Sequence, residues 1–133
     1  MNINDAISTI MTADVITITP SQKILDLKHI YENKRFHHHV PVVEDGKTVG
    51  IVSLIDFMYK ISGASLDDDE QVYHDNLVSD IMRVNPVTVE INESIKTVAE
   101  ILALGEIRSV LVTENSQLKG IVTTADIIRN IIG

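Results

Sequence analysis

The sequence predicts a mixed α/β (α+β) fold in which one β-α-β-β-α unit occurs twice. Two observations carry this prediction: the two halves of the chain match each other in order, and each half alternates β-branched runs with helical apolar stripes. The 133 residues are 44% hydrophobic, which suffices for a compact core, and that core must be aliphatic because only 4% are aromatic.

The duplication rests on segments that recur in the same order. The matched pairs are Ser8–Met11 with Ser79–Met82, Ile16–Ile18 with Val87–Val89, Ile24 with Ile95, Gly50–Val52 with Gly120–Val122, and Asp56 with Asp126. One residue is lost between the copies around Lys34 to His37. We therefore predict repeats at 8–61 and 77–132, separated by a connector at 62–76.

Each repeat opens with a β-branched run, Val15–Ile18 or Val87–Val89, which predicts a strand. A helix is expected next. In the first repeat Thr19–Gln22 has the pattern of a capping box with proline at the first helical position, although Ser21 is a second candidate for the cap. Asn92 is the expected cap in the second repeat.

Helical spacing of apolar residues predicts one buried stripe in each of these helices. The stripes are Ile24, Leu27, Ile30 and Tyr31, and Ile95, Val98, Ile101 and Leu102. A strand pair should follow each helix, joined by Asp45-Gly46 in the first repeat and Asn115-Ser116 in the second. The predicted strands are Val40–Val43 with Thr48–Val52, and Val110–Thr113 with Leu118–Val122. The closing helices are expected at Ile55–Ile61 and Ala125–Ile132.

The connector contains the acidic run Asp67–Glu70. We interpret it as an exposed segment with a helical turn and a solvated charge run, because adjacent side chains do not converge on a cation without a shaped loop. A metal reading of His37–His39 is also disfavoured: successive strand residues point to alternate faces, and the chain has no cysteine.

The formal net charge of −8 argues against binding to nucleic acid or to anionic membranes, which require a basic surface. The absence of cysteine suits a cytoplasmic protein, and no apolar run is long enough to span a bilayer. We expect a cytoplasmic location.

Two motifs, Ser53-x-x-Asp56 and Thr123-x-x-Asp126, place a hydroxyl and a carboxylate on the first turn of each closing helix. Such a pair can face a nucleotide, with the carboxylate accepting from ribose hydroxyls near the positive end of the helix. The same spacing is a helix-capping signature, and both interpretations stay open.

Two units that open with Ile-Met and close with Gly-Ile-Val-(Ser/Thr)-x-x-Asp resemble a tandem pair of cystathionine-β-synthase (CBS) domains, a Bateman module. The resemblance also includes His39–Val43 and covers about residues 8–61 and 77–132. It implies two repeats packed in pseudo-twofold symmetry, two clefts for an adenosine-containing ligand, and assembly of two modules into a dimer.

The resemblance also assigns ligand contacts. It implies adenine contacts by the backbone of the first strands, ribose and phosphate contacts by the two motifs, and phosphate contacts by the residues just before the central strand. The implied site residues are Thr17, Ile18, His38, His39, Ser53 and Asp56 in the first repeat, and Thr88, Val89, Arg108, Ser109, Thr123 and Asp126 in the second. Leu111 replaces Pro41 and the second repeat lacks the histidine pair, so we expect two unequal sites, the second favoured by Arg108.

No nucleophile elbow, phosphate-cradling glycine loop or zinc-protease motif is present, so we expect no enzyme and no cofactor. The expected function is regulatory sensing of AMP, ADP, ATP or S-adenosylmethionine, with the response passed to a separate effector protein. A ligand-free dimerisation or adaptor module is the alternative. Ile127, Ile128, Ile131 and Ile132 exceed what one buried stripe needs, which predicts a homodimer.

Overall fold

The computed structural model describes residues 1–33 and 38–133 and divides them into two compact units. The first unit is Ile16–Asn85, and the second unit combines Met1–Val15 with Pro86–Gly133. The first contains α1 (Ile24–Glu32), β1 (His39–Glu44), β2 (Lys47–Ser53), α2 (Leu54–Lys60), α3 (Gln71–Asp75), α4 (Val78–Ile81) and β3 (Arg83–Val84). The second contains a 3₁₀ turn (Ile7–Thr9), β4 (Thr88–Glu90), α5 (Ile95–Ala103), β5 (Ser109–Glu114), β6 (Gln117–Thr123) and α6 (Thr124–Ile132). The predicted mixed α and β class is confirmed.

The first unit is built on the antiparallel hairpin β1–β2, in which Val40 lies opposite Val52. Its turn is formed by Asp45 and Gly46, both with positive φ angles (54° and 79°), as the Asp-Gly pair predicted. β3 adds to the other edge of β2 in antiparallel register.

The second unit repeats this plan with the hairpin β5–β6, and β4 runs parallel to β5. The turn residues Asn115 and Ser116 have φ angles of 52° and 67°, so two non-glycine residues adopt the left-handed conformation that a tight hairpin requires. Thr12 forms a bridge to Ile121 on the edge of β6 away from β5, which is the place that β3 occupies on β2.

The two Ile-Met segments therefore pack on strands of the opposite repeat: Met11 lies over Gly120 and Met82 lies over Gly50. A Cβ atom at position 120 would stand 2.6 Å from the Met11 Sδ and 2.8 Å from the Thr12 carbonyl oxygen. At position 50 it would stand 2.7 Å from the Met82 Sδ. The glycine of each Gly-Ile-Val motif is thus required by the close approach of a neighbouring chain segment.

Each unit has its own core, and the predicted stripes of α1 and α5 lie in them. Ile24, Leu27, Ile95 and Val98 are essentially inaccessible to solvent. The first core also contains an aromatic group, in which the Tyr31 and Phe57 rings stack at 5.3 Å between centroids. The second core is aliphatic.

The connector is more ordered than the sequence suggested, because α3 inserts Tyr73 into the first core with 0% exposure. The Tyr73 ring meets Phe57 edge-on at 6.3 Å, and its hydroxyl donates to the Ser65 carbonyl oxygen at 2.7 Å. The expectation of an exposed connector was therefore wrong at this residue. Local pattern could not reveal it, since the helix is a single turn.

The acidic run is also not fully solvated. Lys28 of α1, only 4% exposed, donates to Asp68 at 2.6 Å and to Glu32 at 3.0 Å. The Asp68 carboxylate raises the pKa of Lys28, and Lys28 together with His29 lowers the pKa of Asp68. One member of the run thus ties the connector to α1, which corrects the interpretation of a wholly solvated run.

Three local predictions were wrong. α1 begins at Ile24 and not within Thr19–Gln22, although the Gln22 side chain accepts from the Thr19 backbone N–H at 2.9 Å, as a capping box predicts. Ser94, not Asn92, caps α5 by accepting from Thr97. The first β-branched run forms only a bridge at Ile18 to Val42. In the two helices, a turn precedes the first helical residue, which the pattern placed too early.

Within the described ranges, no helix is both long and apolar enough to cross a membrane.

Candidate functional site

In the first unit, four of the sequence-predicted residues meet where β1 begins and β2 ends. His39 lies opposite Ser53 across the hairpin, and the Leu54 N–H donates to the His38 carbonyl oxygen at 2.7 Å. Asp56 follows on the first turn of α2. The hairpin register alone therefore brings His38, His39, Ser53 and Asp56 together.

The Ser53 hydroxyl caps α2 by accepting from the Asp56 N–H at 3.1 Å. The Asp56 carboxylate faces the Arg83 guanidinium, which donates from Nε to Oδ2 at 3.0 Å and from Nη2 to Oδ1 at 3.2 Å. Arg83 lowers the pKa of Asp56 below its usual range, with a further contribution from Ser53. Asp56 is therefore an anionic acceptor at neutral pH.

The second unit repeats the arrangement. Ser109 lies opposite Thr123, and the Thr124 N–H donates to the Arg108 carbonyl oxygen at 3.1 Å. Ser109 is buried, whereas Arg108 is exposed. In the part of the chain that the structure describes, the Arg108 guanidinium makes no ion pair. Arg108 is thus a cation whose charge is available beside the motif.

Asp126 differs from Asp56 because its carboxylate completes a full capping box. Its Oδ2 accepts from the Thr123 N–H at 2.8 Å and from the Thr123 hydroxyl at 3.1 Å, and its Oδ1 accepts from Arg129 of the same helix. The residue is 6% exposed. The capping role that the spacing allowed is therefore present at Asp126.

The segment that precedes α1 runs beside β1 at Ile18, and β4, which precedes α5, runs beside β5. The Ile18 N–H donates to Pro41 at 3.1 Å and the Ile18 carbonyl accepts from Val43 at 2.8 Å, while Val89 lies opposite Val112. Neighbouring residues of a strand direct their backbone groups to opposite sides. The backbone N–H and C=O groups of Thr17 and Thr88 therefore point away from β1 and β5. Both threonines are exposed.

Of the three consecutive histidines, His37 lies outside the described residues. Elsewhere in the described part, donor atoms of His29, Glu32 and Asp68 lie within 4.8 Å of one another. The Lys28 ammonium already contacts both carboxylates, which makes this group an ion-pair cluster.

Sequence reasoning missed Arg83. It lies 27 positions from Asp56, and its counterpart in the aligned repeat is Thr12, so neither spacing nor repetition marks it. Only the pairing of β3 with β2 brings the guanidinium to the carboxylate.

A family model described as "CBS domain" matches the chain twice, at residues 7–63 and 78–133. Protein MJ1225 of Methanocaldococcus jannaschii is 27% identical over 132 residues, covering 95% of this chain and 47% of that protein. Inosine-5'-monophosphate dehydrogenase of Halalkalibacterium halodurans is 32% identical over 113 residues, covering 83% of this chain and 21% of the enzyme. The chain spans less than half the length of several curated relatives that it matches.

Solved structures that share the fold include protein MJ1225 and CBSX2. Protein MJ1225 superposes with a TM-score of 0.82 at 24% identity, covering 98% of this chain and 49% of that one. CBSX2 of Arabidopsis thaliana, solved in complex with AMP, superposes with a TM-score of 0.78 at 22% identity and covers 96% of each chain.

Proposed function

The chain belongs to the CBS domain family. We propose that it is a regulatory module that binds an adenosine-type ligand and passes the response to a separate effector protein. The ligand class is AMP, ADP, ATP or S-adenosylmethionine. The observation that carries the proposal is the recurrence, in both units, of a hydroxyl and a carboxylate beside polar residues of the central hairpin. The complex of CBSX2 with AMP supports this choice of ligand class.

Each proposed contact follows from chemistry. Backbone groups that point away from the central strand suit the adenine edge, carboxylates suit ribose hydroxyls, and cations or hydroxyls suit phosphate. The first unit contributes Thr17, His38, His39, Ser53 and Asp56. The backbone contact expected at Ile18 does not fit, because its N–H and carbonyl already bond to Pro41 and Val43 of β1. The second contributes Thr88, Val89, Arg108, Ser109, Thr123 and Asp126. Arg108 is the best placed phosphate ligand of the second unit, because its guanidinium is exposed and forms no ion pair with the described residues.

A thermal-shift screen tests the proposal. We expect at least one of AMP, ADP, ATP and S-adenosylmethionine to raise the melting temperature by several degrees, because a ligand at about 100 times its Kd stabilises the native state by about 2.7 kcal/mol. GMP is the control for recognition of the base. If none of the four shifts the melting temperature at millimolar concentration, sensing of these ligands is excluded.

A ligand-free dimerisation or adaptor module is the second candidate. One observation favours it: both oxygens of Asp126 already accept hydrogen bonds, from Thr123, which caps α6, and from Arg129 within α6. A carboxylate engaged in this way stabilises the helix whether or not a ligand is present.

We also propose that the protein forms a homodimer through α6. Ile128, Ile131 and Ile132 are 51%, 66% and 81% exposed. The isoleucines of α6 that one buried stripe does not need therefore lie on the surface of the unit. Contiguous exposed apolar side chains of this kind are typical of interfaces. A ligand that binds one dimer arrangement better than another would shift their populations and so transmit a signal.

Light scattering tests the dimer. We expect about twice the 14.8 kDa chain mass for the wild type and the single-chain mass for Ile131→Glu, because a buried unpaired charge opposes association. Lys96→Glu, which changes charge on the exposed side of α5, should leave the dimer intact. A wild-type protein that stays monomeric from dilute to concentrated solution, with ligand present, contradicts the proposal.

The remaining assignments are proposals from composition. We propose no catalytic activity of its own, a cytoplasmic location consistent with the absence of cysteine, and no nucleic-acid or membrane partner, given the net charge of −8.

A further inference from the structure

The ion pair between Arg83 and Asp56 joins residues from two different elements of the first unit, β3 and α2. It is bidentate, with the Nε–Oδ2 and Nη2–Oδ1 distances at 3.0 and 3.2 Å. Each carboxylate oxygen thus accepts from the guanidinium. In this arrangement, Arg83 occupies the same acceptor atoms that ribose hydroxyls would use.

The pair is placed where it can open. The Arg83 side chain is 73% exposed and the Asp56 side chain 18% exposed. Ion pairs with an exposed partner contribute little net free energy because water solvates the separated charges well. Arg83 can therefore leave Asp56 without disturbing the core, since its long side chain lies over the surface of the unit.

A released guanidinium needs a new anionic partner. Phosphate accepts two parallel N–H bonds from arginine, as a carboxylate does. A nucleotide bound through Asp56 supplies such a group, whereas an unphosphorylated nucleoside does not. With a nucleotide, the phosphate replaces the Asp56 carboxylate as the partner of Arg83. With a nucleoside, the guanidinium loses its carboxylate partner and gains no other anion.

We propose that Arg83 is a specificity-determining residue of the first unit, which covers Asp56 in the free protein and transfers to the phosphate of a bound nucleotide. This inference rests on the proposed function. It makes the first unit selective for phosphorylated adenosine ligands. The second unit has no equivalent of Arg83. Thr12 occupies the position that aligns with Arg83, and the arginine that pairs with Asp126 is Arg129 of the same helix.

Calorimetric titration of adenosine and AMP into the wild type and Arg83→Gln tests the inference, with the heat of the first unit identified as the part that Asp56→Ala removes. We expect Arg83→Gln to bind AMP about tenfold more weakly, as for loss of a charged hydrogen bond, and to bind adenosine several-fold more tightly. The ratio of AMP to adenosine affinity should therefore fall by about tenfold or more. Arg83→Lys, which keeps the charge but not the fork, should lie between the two proteins.

Arg129→Gln is the matched control, since it removes the arginine at the other motif carboxylate and should leave the first unit's preference for AMP unchanged. Circular dichroism melts check that the variants fold. An AMP-to-adenosine ratio that is the same in the wild type and Arg83→Gln overturns the inference and leaves the proposed function intact. Failure of both ligands to bind either protein overturns the inference and counts against nucleotide sensing itself.

Discussion

Tyr73→Ala is expected to lower the free energy of unfolding by about 3–5 kcal/mol, the range for truncating a large buried aromatic side chain. Tyr73 is completely buried, contacts the Phe57 ring edge-on, and donates its hydroxyl to Ser65. Its loss would leave a cavity in the first core and an unpaired carbonyl. Urea denaturation followed by circular dichroism measures the change.

Two variants control this result. Tyr73→Phe removes only the hydroxyl bond and should cost about 1 kcal/mol. Leu66→Ala changes an apolar connector residue that is 69% exposed and should stay within about 0.5 kcal/mol of the wild type. If Tyr73→Ala is no more destabilising than Leu66→Ala, the connector is not part of the first core.

The second large effect is expected at Asp126. Its replacement by alanine should weaken binding of the preferred adenosine ligand about ten- to a hundredfold, because hydrogen bonds from ribose hydroxyls to a charged carboxylate contribute about 1.5–3 kcal/mol. The same change removes the capping box with Thr123, which should cost about 0.5–2 kcal/mol of stability. Binding curves and urea melts on the same protein separate the two effects.

Asp56→Ala is the parallel variant, and a larger loss of affinity at Asp126 would support the second unit as the stronger site. The Arg108 guanidinium, which is exposed, is the reason for that preference. Equal affinity in the wild type and Asp126→Ala, alongside a clear loss of stability, would make Asp126 a helix cap and nothing more.

The sequence predicted the features that depend on local pattern, namely the hairpin turns and the strand register that follows from them. The Asp45-Gly46 turn fixes the register of the β1–β2 hairpin, and that register alone places His39 opposite Ser53. In the same way, the β5–β6 register places Ser109 opposite Thr123. Much of the candidate site was therefore accessible from the sequence, since its members sit at the ends of strands whose pairing the turns dictate.

What escaped prediction depends on contacts between distant segments. Met11 packs over Gly120, yet the alignment of the repeats assigns these residues to different copies. Tyr73 lies in a one-turn helix that has too few residues to show an apolar period. Arg83 reaches Asp56 only through the pairing of β3 with β2. Spacing carries no signal for such contacts, because each joins segments that lie far apart in the sequence. Tyr73 and Arg83 also have no equivalent side chain in the other repeat.

Sensing of an adenosine-type ligand by this CBS-domain chain can be measured by isothermal titration calorimetry of the folded protein with AMP, ADP, ATP and S-adenosylmethionine. We expect a saturable heat with at least one of the four, and loss of that heat in the double variant Asp56→Ala/Asp126→Ala, whose fold is checked by circular dichroism. No heat with any of the four ligands, or undiminished affinity in the folded double variant, would contradict it.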